Sequence, residues 1–98
     1  MTGKDTKGKP QLSWTMRSTM EAIASVREYG NEKYASPDNW KGVPDSAWCD
    51  AALRHLMAHI EHRRGNGSKN DDESGLPHLA HCMVSLMFLM ENERRRNT

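Results

Sequence analysis

Disulfide-forming residues and aromatics are scarce in this chain of 98 residues: two cysteines, one phenylalanine and two tyrosines stand beside three tryptophans. Cys49 and Cys82 are too few for a disulfide scaffold and fit a reducing compartment, where both are read as small buried residues. No run of ~18 apolar residues occurs, which excludes a transmembrane helix. The first residues, MTGKDTKGKPQ, lack the apolar stretch of a secretory signal. Charge of one sign is also missing. Lys+Arg 14 against Asp+Glu 13 leaves +1, so no net field draws in nucleic acid or a membrane surface. Walker A, G-x-G-x-x-G, CxxC and G-x-S-x-G motifs are absent, and so is any internal repeat. What remains is a cytoplasmic protein without membrane or nucleic-acid partners, small enough for one domain.

Apolar residues make up 36% of the chain, against the ~45–50% usual for globular proteins. So modest a core is commonly completed against a second copy, and seven methionines suit an adaptable interface, so a homo-oligomer is expected. Residues 1–12 read as a flexible arm, 13–95 as a single all-α domain and 96–98 as a tail. The spacing of Met16, Met20, Ile23 and Ala24 predicts a first helix over about Thr15–Tyr29, with Ser18 and Glu21 at capping-box spacing and Gly30 as its stop. A second helix should follow Asp45 as N-cap and end near Arg64, with Leu53, Leu56, Met57 and Ile60 as its apolar stripe. A third should start around Leu76-Pro77, capped by Ser74, and its MVSLMFLM stretch should be central to the core or to an interface. The expected fold is therefore a compact bundle of three helices, or four, with long functional loops.

Several groups have chemistry to offer. His55, His59 and His62 share one face of the second helix, and His78 and His81 stand three apart on the third. The acidic run Asp71-Asp72-Glu73 lies between them. If the two helices are antiparallel, His55 approaches His81 and the imidazoles and carboxylates can hold a divalent ion. Glu28 sits near the expected C-terminus of the first helix, where the dipole disfavours an acid, so a cation there would give it a reason. Arg54 can grip phosphate with a bidentate fork. The connector NEKYASPDNWKGVPD brings Lys33, Tyr34, Asn39 and Trp40, groups suited to holding a nucleotide.

The order E-Y-G-x-x-K-Y from Glu28, N-W at Asn39, A-x-L-R-H ending at His55 and D-x-E-S-G-x-x-H-L-x-H from Asp71 resembles a phage family, the dATP/dGTP diphosphohydrolase N-terminal domain. The resemblance spans about residues 7–92. It implies an α-helical protein acting on deoxypurine nucleotides with a divalent metal, Mg²⁺ or Mn²⁺. The ExxE…ExxD signature of all-α pyrophosphohydrolases is not present. On this reading a purine nucleotide partners the chain, and Glu28, His55 and His78 are the expected catalytic residues. Lys33, Tyr34, Asn39, Trp40, Arg54, Ser74 and His81 bind the nucleotide, and Glu28, Asp71 and His78 ligate the metal. The leading expectation is a metal-dependent pyrophosphohydrolase that releases dNMP and pyrophosphate. The alternative is a non-catalytic protein that sequesters a host cyclic-nucleotide immune signal.

Overall fold

A computed structural model describes residues 8–96; residues 1–7 of the expected arm and 97–98 of the tail lie outside the described residues. Three α-helices carry the fold: α1 (Arg17–Tyr34), α2 (Asp45–Arg63) and α3 (His78–Arg96), with 3₁₀ turns at Leu12–Trp14 and Asn39–Gly42. Among the described residues there is no fourth α-helix and no strand, only an isolated antiparallel bridge between Asn70 and Pro77. The expected all-α three-helix bundle is what the chain forms.

The central helix is α3, and both others run antiparallel to it. Asp45, at the start of α2, accepts a hydrogen bond from Asn92 Nδ2 (3.0 Å) and pairs with Arg96 (2.9 Å), while His55 meets His78 near the other end. Along α1, the Arg27 guanidinium stands over the Phe88 ring and Lys33 reaches Glu73, just before α3. Val26, Ala80, Val84 and Phe88 form the buried core, flanked by Ala22, Ile23, Trp40, Trp48, Leu76, Met83 and Met87. Burying Phe88 and its aliphatic neighbours is the main source of stability, worth about 1.5–3 kcal/mol for each large side chain. The core is small. Leu53, Leu56 and Met57 of the expected α2 stripe are exposed, as are Met16 and Met20 of α1 and Leu86 and Met90 of α3. On α2 it is Ala52 and Trp48 that turn inward instead. Cys82 is buried as expected, whereas Cys49 is exposed.

Helix ends depart from the sequence reading. Gly30 does not stop α1; it keeps a helical backbone and the helix continues to Tyr34. The chain leaves the helix at Ala35, whose φ of 56° is left-handed, and Pro37 disfavours the helical region for the residue before it. Ser18 forms no cap: Met16 is the N-cap, without a side-chain hydrogen bond, and Glu21 pairs with Arg17 at 3.3 Å. Asp45 is the first residue of α2, behind the N-cap Pro44, where its charge still suits the dipole. At the start of α3 the Pro77 carbonyl accepts from the N–H groups of Ala80 and His81. Ser74, released from capping, turns its hydroxyl to His81.

Candidate functional site

A cleft of about 470 Å³ opens between α1 and α2, with α3 beneath it. It falls in the ~300–1,000 Å³ range usual for small-molecule sites. From α1 come Tyr29, Gly30, Lys33 and Tyr34, which share one helical face with Val26. The short 3₁₀ turn supplies Asn39 and Trp40, and α2 supplies Trp48, Arg54 and His55. His81 and Phe88 of α3 line the same space, with Glu73 at the rim.

The loop between α2 and α3 is braced along its length. At the end of α2 the N–H of Gly65 donates to His62 O and that of Asn66 to Glu61 O, the Schellman pattern, and Gly65 takes the positive φ of 89° that the pattern needs. Further on, Asp71 N–H donates to Leu76 O, Gly75 N–H to Asp71 O, and His78 N–H to Lys69 O, at 2.8–2.9 Å. Gly75, at φ 73°, makes this reversal without strain. The result is a tight turn that sets Asp71 and His78 side by side, facing His55.

These three side chains each offer a ligand atom, and the atoms lie within 4.8 Å of one another. His55 Nδ1 and His78 Nδ1 are 3.0 Å apart, so one imidazole donates to the other. His55 also stacks on His81, with ring centroids 4.6 Å apart and an interplanar angle of 15°. His81 Nε2 lies 2.7 Å from Ser74 Oγ and 4.0 Å from Asp71 Oδ2. Burial pushes both His55 and His81 below the usual imidazole range; for each, Asp71 pulls the other way without overcoming it. Burial raises Asp71, but the Ser74 N–H and hydroxyl, together with His81 and His55, outweigh it and hold the carboxyl low. Beside the carboxylate of Asp71, held low, stand His55 and His81, which burial disposes to stay uncharged.

At the rim, Lys33 Nζ and Glu73 Oε1 form an ion pair of 2.6 Å. A hydrogen bond to Glu73 raises both the Tyr29 hydroxyl and the Lys33 ammonium. Trp40 lines the cleft but its ring is engaged: it stacks on Phe88 (4.8 Å, 4°) and takes cation–π contacts from Arg95 and Lys41. Tyr34, 52% exposed, is the more open aromatic, with Lys33 over its ring at 5.4 Å.

Of the residues expected to bind a nucleotide, Lys33, Tyr34, Asn39, Trp40, Arg54 and His81 line this cleft, and Ser74 touches it through His81. Asp71 and His78 adjoin it through His55. Glu28 does not: it is exposed, outside both the cleft lining and the ligand group, because two residues along a helix turn it ~200° from Val26. The side chain that stands with Asp71 and His78 is His55. Sequence reasoning passed over Tyr29 and Phe88 and left Glu73 as one member of an acidic run. The signal for Tyr29 was its i, i+4 spacing from Lys33.

The whole chain, residues 1–98, matches the family described as dATP/dGTP diphosphohydrolase, N-terminal, and it belongs to that family. It is also 38% identical over 90 residues to a dATP/dGTP diphosphohydrolase of Salmonella phage PMBT28. That alignment covers 91% of this chain and 29% of the relative, so the chain spans under a third of that protein's length. No solved structure matches it.

Proposed function

We propose that the cleft binds a purine deoxynucleoside triphosphate and that the chain acts in its hydrolysis to dNMP and pyrophosphate, with a divalent ion at His55, Asp71 and His78. What carries the reading is contiguity. Lys33 and Arg54, from different helices, open onto one cleft with His55, and His55 belongs to the imidazole–carboxylate group. The family to which the chain belongs suggests the substrate class.

Each residue has a task in this reading. Arg54 presents a planar fork to phosphate oxygens. Lys33 presents a point charge, which phosphate takes over from Glu73. Tyr34 offers the open ring for a base. A divalent ion bound here lowers the pKa of its water and offsets charge on phosphate oxygens. His81, kept uncharged by burial, accepts the proton that the attacking water gives up, at the nitrogen now facing Ser74 Oγ. Water oxygen bonds to the α-phosphorus, the bond to the bridging oxygen breaks, and pyrophosphate departs.

The test is incubation with dATP or dGTP and MnCl₂ or MgCl₂, following dNMP and pyrophosphate by chromatography, beside calorimetric binding. Both nucleotides bind, and Arg54→Ala weakens binding ~10- to 150-fold, the equivalent of ~1.5–3 kcal/mol for hydrogen bonds to a charged group. Absence of binding by either nucleotide refutes the reading. A second reading, capture without cleavage, is favoured by the make-up of the site: Lys33 and Arg54 line the cleft, while the imidazole group beside it holds a single carboxylate, Asp71. Recovery of intact nucleotide after denaturation selects it.

A further inference from the structure

We infer that His55, Asp71 and His78 form a centre that selects a divalent transition-metal ion, Co²⁺, Zn²⁺ or Mn²⁺, over Mg²⁺. The inference rests on the proposed function only for what the ion does to a bound phosphate; the binding itself is a property of the chain alone.

The donor set is the first ground. Two of the three ligand atoms are imidazole nitrogens and one is a carboxylate oxygen. Mg²⁺ demands hard oxygen ligands in a near-ideal octahedron and dehydrates reluctantly, whereas imidazole suits Zn²⁺, Co²⁺ and their neighbours and carboxylate suits Mn²⁺. Replacing the expected Glu28 by His55 therefore changes the class of ion. The second ground is spacing. Two nitrogens bonded to one ion at ~2.1 Å and at right angles stand ~3.0 Å apart, and His55 Nδ1 and His78 Nδ1 are 3.0 Å apart. The hydrogen bond between them is thus replaceable by an ion with little movement of either ring.

Preorganisation is the third ground. Asp71 and His78 belong to one braced turn, closed by Asp71 N–H to Leu76 O and His78 N–H to Lys69 O, and His55 is set against it by the packing of α2 on α3. Beyond the ligands, Ser74 N–H donates to Asp71 Oδ2 at 2.9 Å, and the Ser74 hydroxyl ties in His81. Outer groups of this kind fix ligand orientation and strengthen metal binding. Three protein donors also leave coordination positions for water and for phosphate oxygen, the pattern of a catalytic rather than a structural site.

The experiment uses the full chain, stripped with chelator and free of nucleotide, titrated calorimetrically with MnCl₂, CoCl₂, ZnCl₂ or MgCl₂. Mn²⁺ saturates one site and binds about tenfold or more tighter than Mg²⁺. His55→Gln and His78→Gln each lower Mn²⁺ affinity about tenfold or more, and Glu28→Gln leaves it unchanged. Because a variant can unfold, substoichiometric Mn²⁺ is also added to the unmodified chain while its imidazole NMR signals are followed. Those of His55, His78 and the stacked His81 broaden before those of His59 and His62. Mg²⁺ binding equal to or tighter than that of every transition-metal ion tried, no saturable site for Mn²⁺, Co²⁺ or Zn²⁺, a loss in Glu28→Gln matching that in His55→Gln, or broadening confined to His59 and His62 each overturns the inference. Nucleotide binding measured with the metal site saturated separates the two proposals: a chain that takes Mn²⁺ and then no nucleotide keeps the centre and loses the function.

Discussion

Replacing Phe88 by leucine tests whether one core residue supports both the bundle and the cleft. Phe88 is buried under two tryptophans, Trp40 stacked at 4.8 Å and Trp48 tilted at 4.7 Å, with the Arg27 guanidinium 5.1 Å from its ring centre. Leucine keeps the site apolar and most of its volume, so the loss is mainly of ring-specific contacts. An aromatic pair is worth ~0.5–1.5 kcal/mol beyond its buried area, and a cation–π contact ~0.5–1 kcal/mol or more. The three contacts together come to about 1.5–4 kcal/mol. A domain of this size has only ~5–15 kcal/mol of stability in total. At ~4–8 °C per kcal/mol, a central loss of about 2.5 kcal/mol lowers the unfolding midpoint by ~10–20 °C. Circular dichroism measures the midpoint, and tryptophan emission reports Trp40 and Trp48 directly. The variant should emit differently in the folded state and bind dATP more weakly than the parent, since both rings line the cleft. A midpoint within ~4 °C of the parent, with unchanged emission, refutes the placement of Phe88 beneath the tryptophans.

Two further outcomes follow from the same geometry. In chelator, the unfolding midpoint holds steady above the ordinary imidazole pKa of 6.5 and falls as pH drops through it. His55 and His81 are depressed in the folded state, mainly by burial with His78 adding repulsion, so the unfolded chain takes up protons first and is favoured. Asp71, also depressed, adds a second decline below 3.8, and a midpoint that stays flat across the imidazole range refutes the burial argument. Gly65→Ala forces a side chain into φ 89° and costs ~1–2 kcal/mol, whereas Gly30→Ala, helical and with open space around its Cβ, gains ~0.5–1 kcal/mol; opposite shifts in thermal melts confirm the pair, and shifts of one sign refute it.

How much of this the amino-acid order reveals depends on whether a feature is local. Three helices separated by polar, glycine-bearing loops are legible because apolar spacing and turn chemistry act within a few residues. Caps are less legible, because a cap competes with tertiary partners. Ser74 has a capping residue's chemistry, yet the turn at Gly75 carries its hydroxyl to His81. Gly30 has the chemistry of a stop, yet α1 gains by continuing: the extra turn places Lys33 opposite Glu73 and Tyr34 on the cleft wall. The helix running past Gly30 also bears on Glu28. An acid in the last turn of a helix wants a cation, and a helix ending at Tyr29 sets Glu28 in that turn. With the end moved to Tyr34, Glu28 lies mid-helix, where the end charge of the dipole has faded and a solvated carboxylate needs no partner. The third side chain beside Asp71 and His78 is whichever residue the packing of α2 on α3 delivers. Antiparallel pairing anchored at Asp45 and Asn92 brings His55 to that spot, across 23 residues of sequence. The pairing of His55 with the third helix was foreseeable from the loop between them, and its distance from Glu28 was not, because that depends on the rotation of α1 about its own axis.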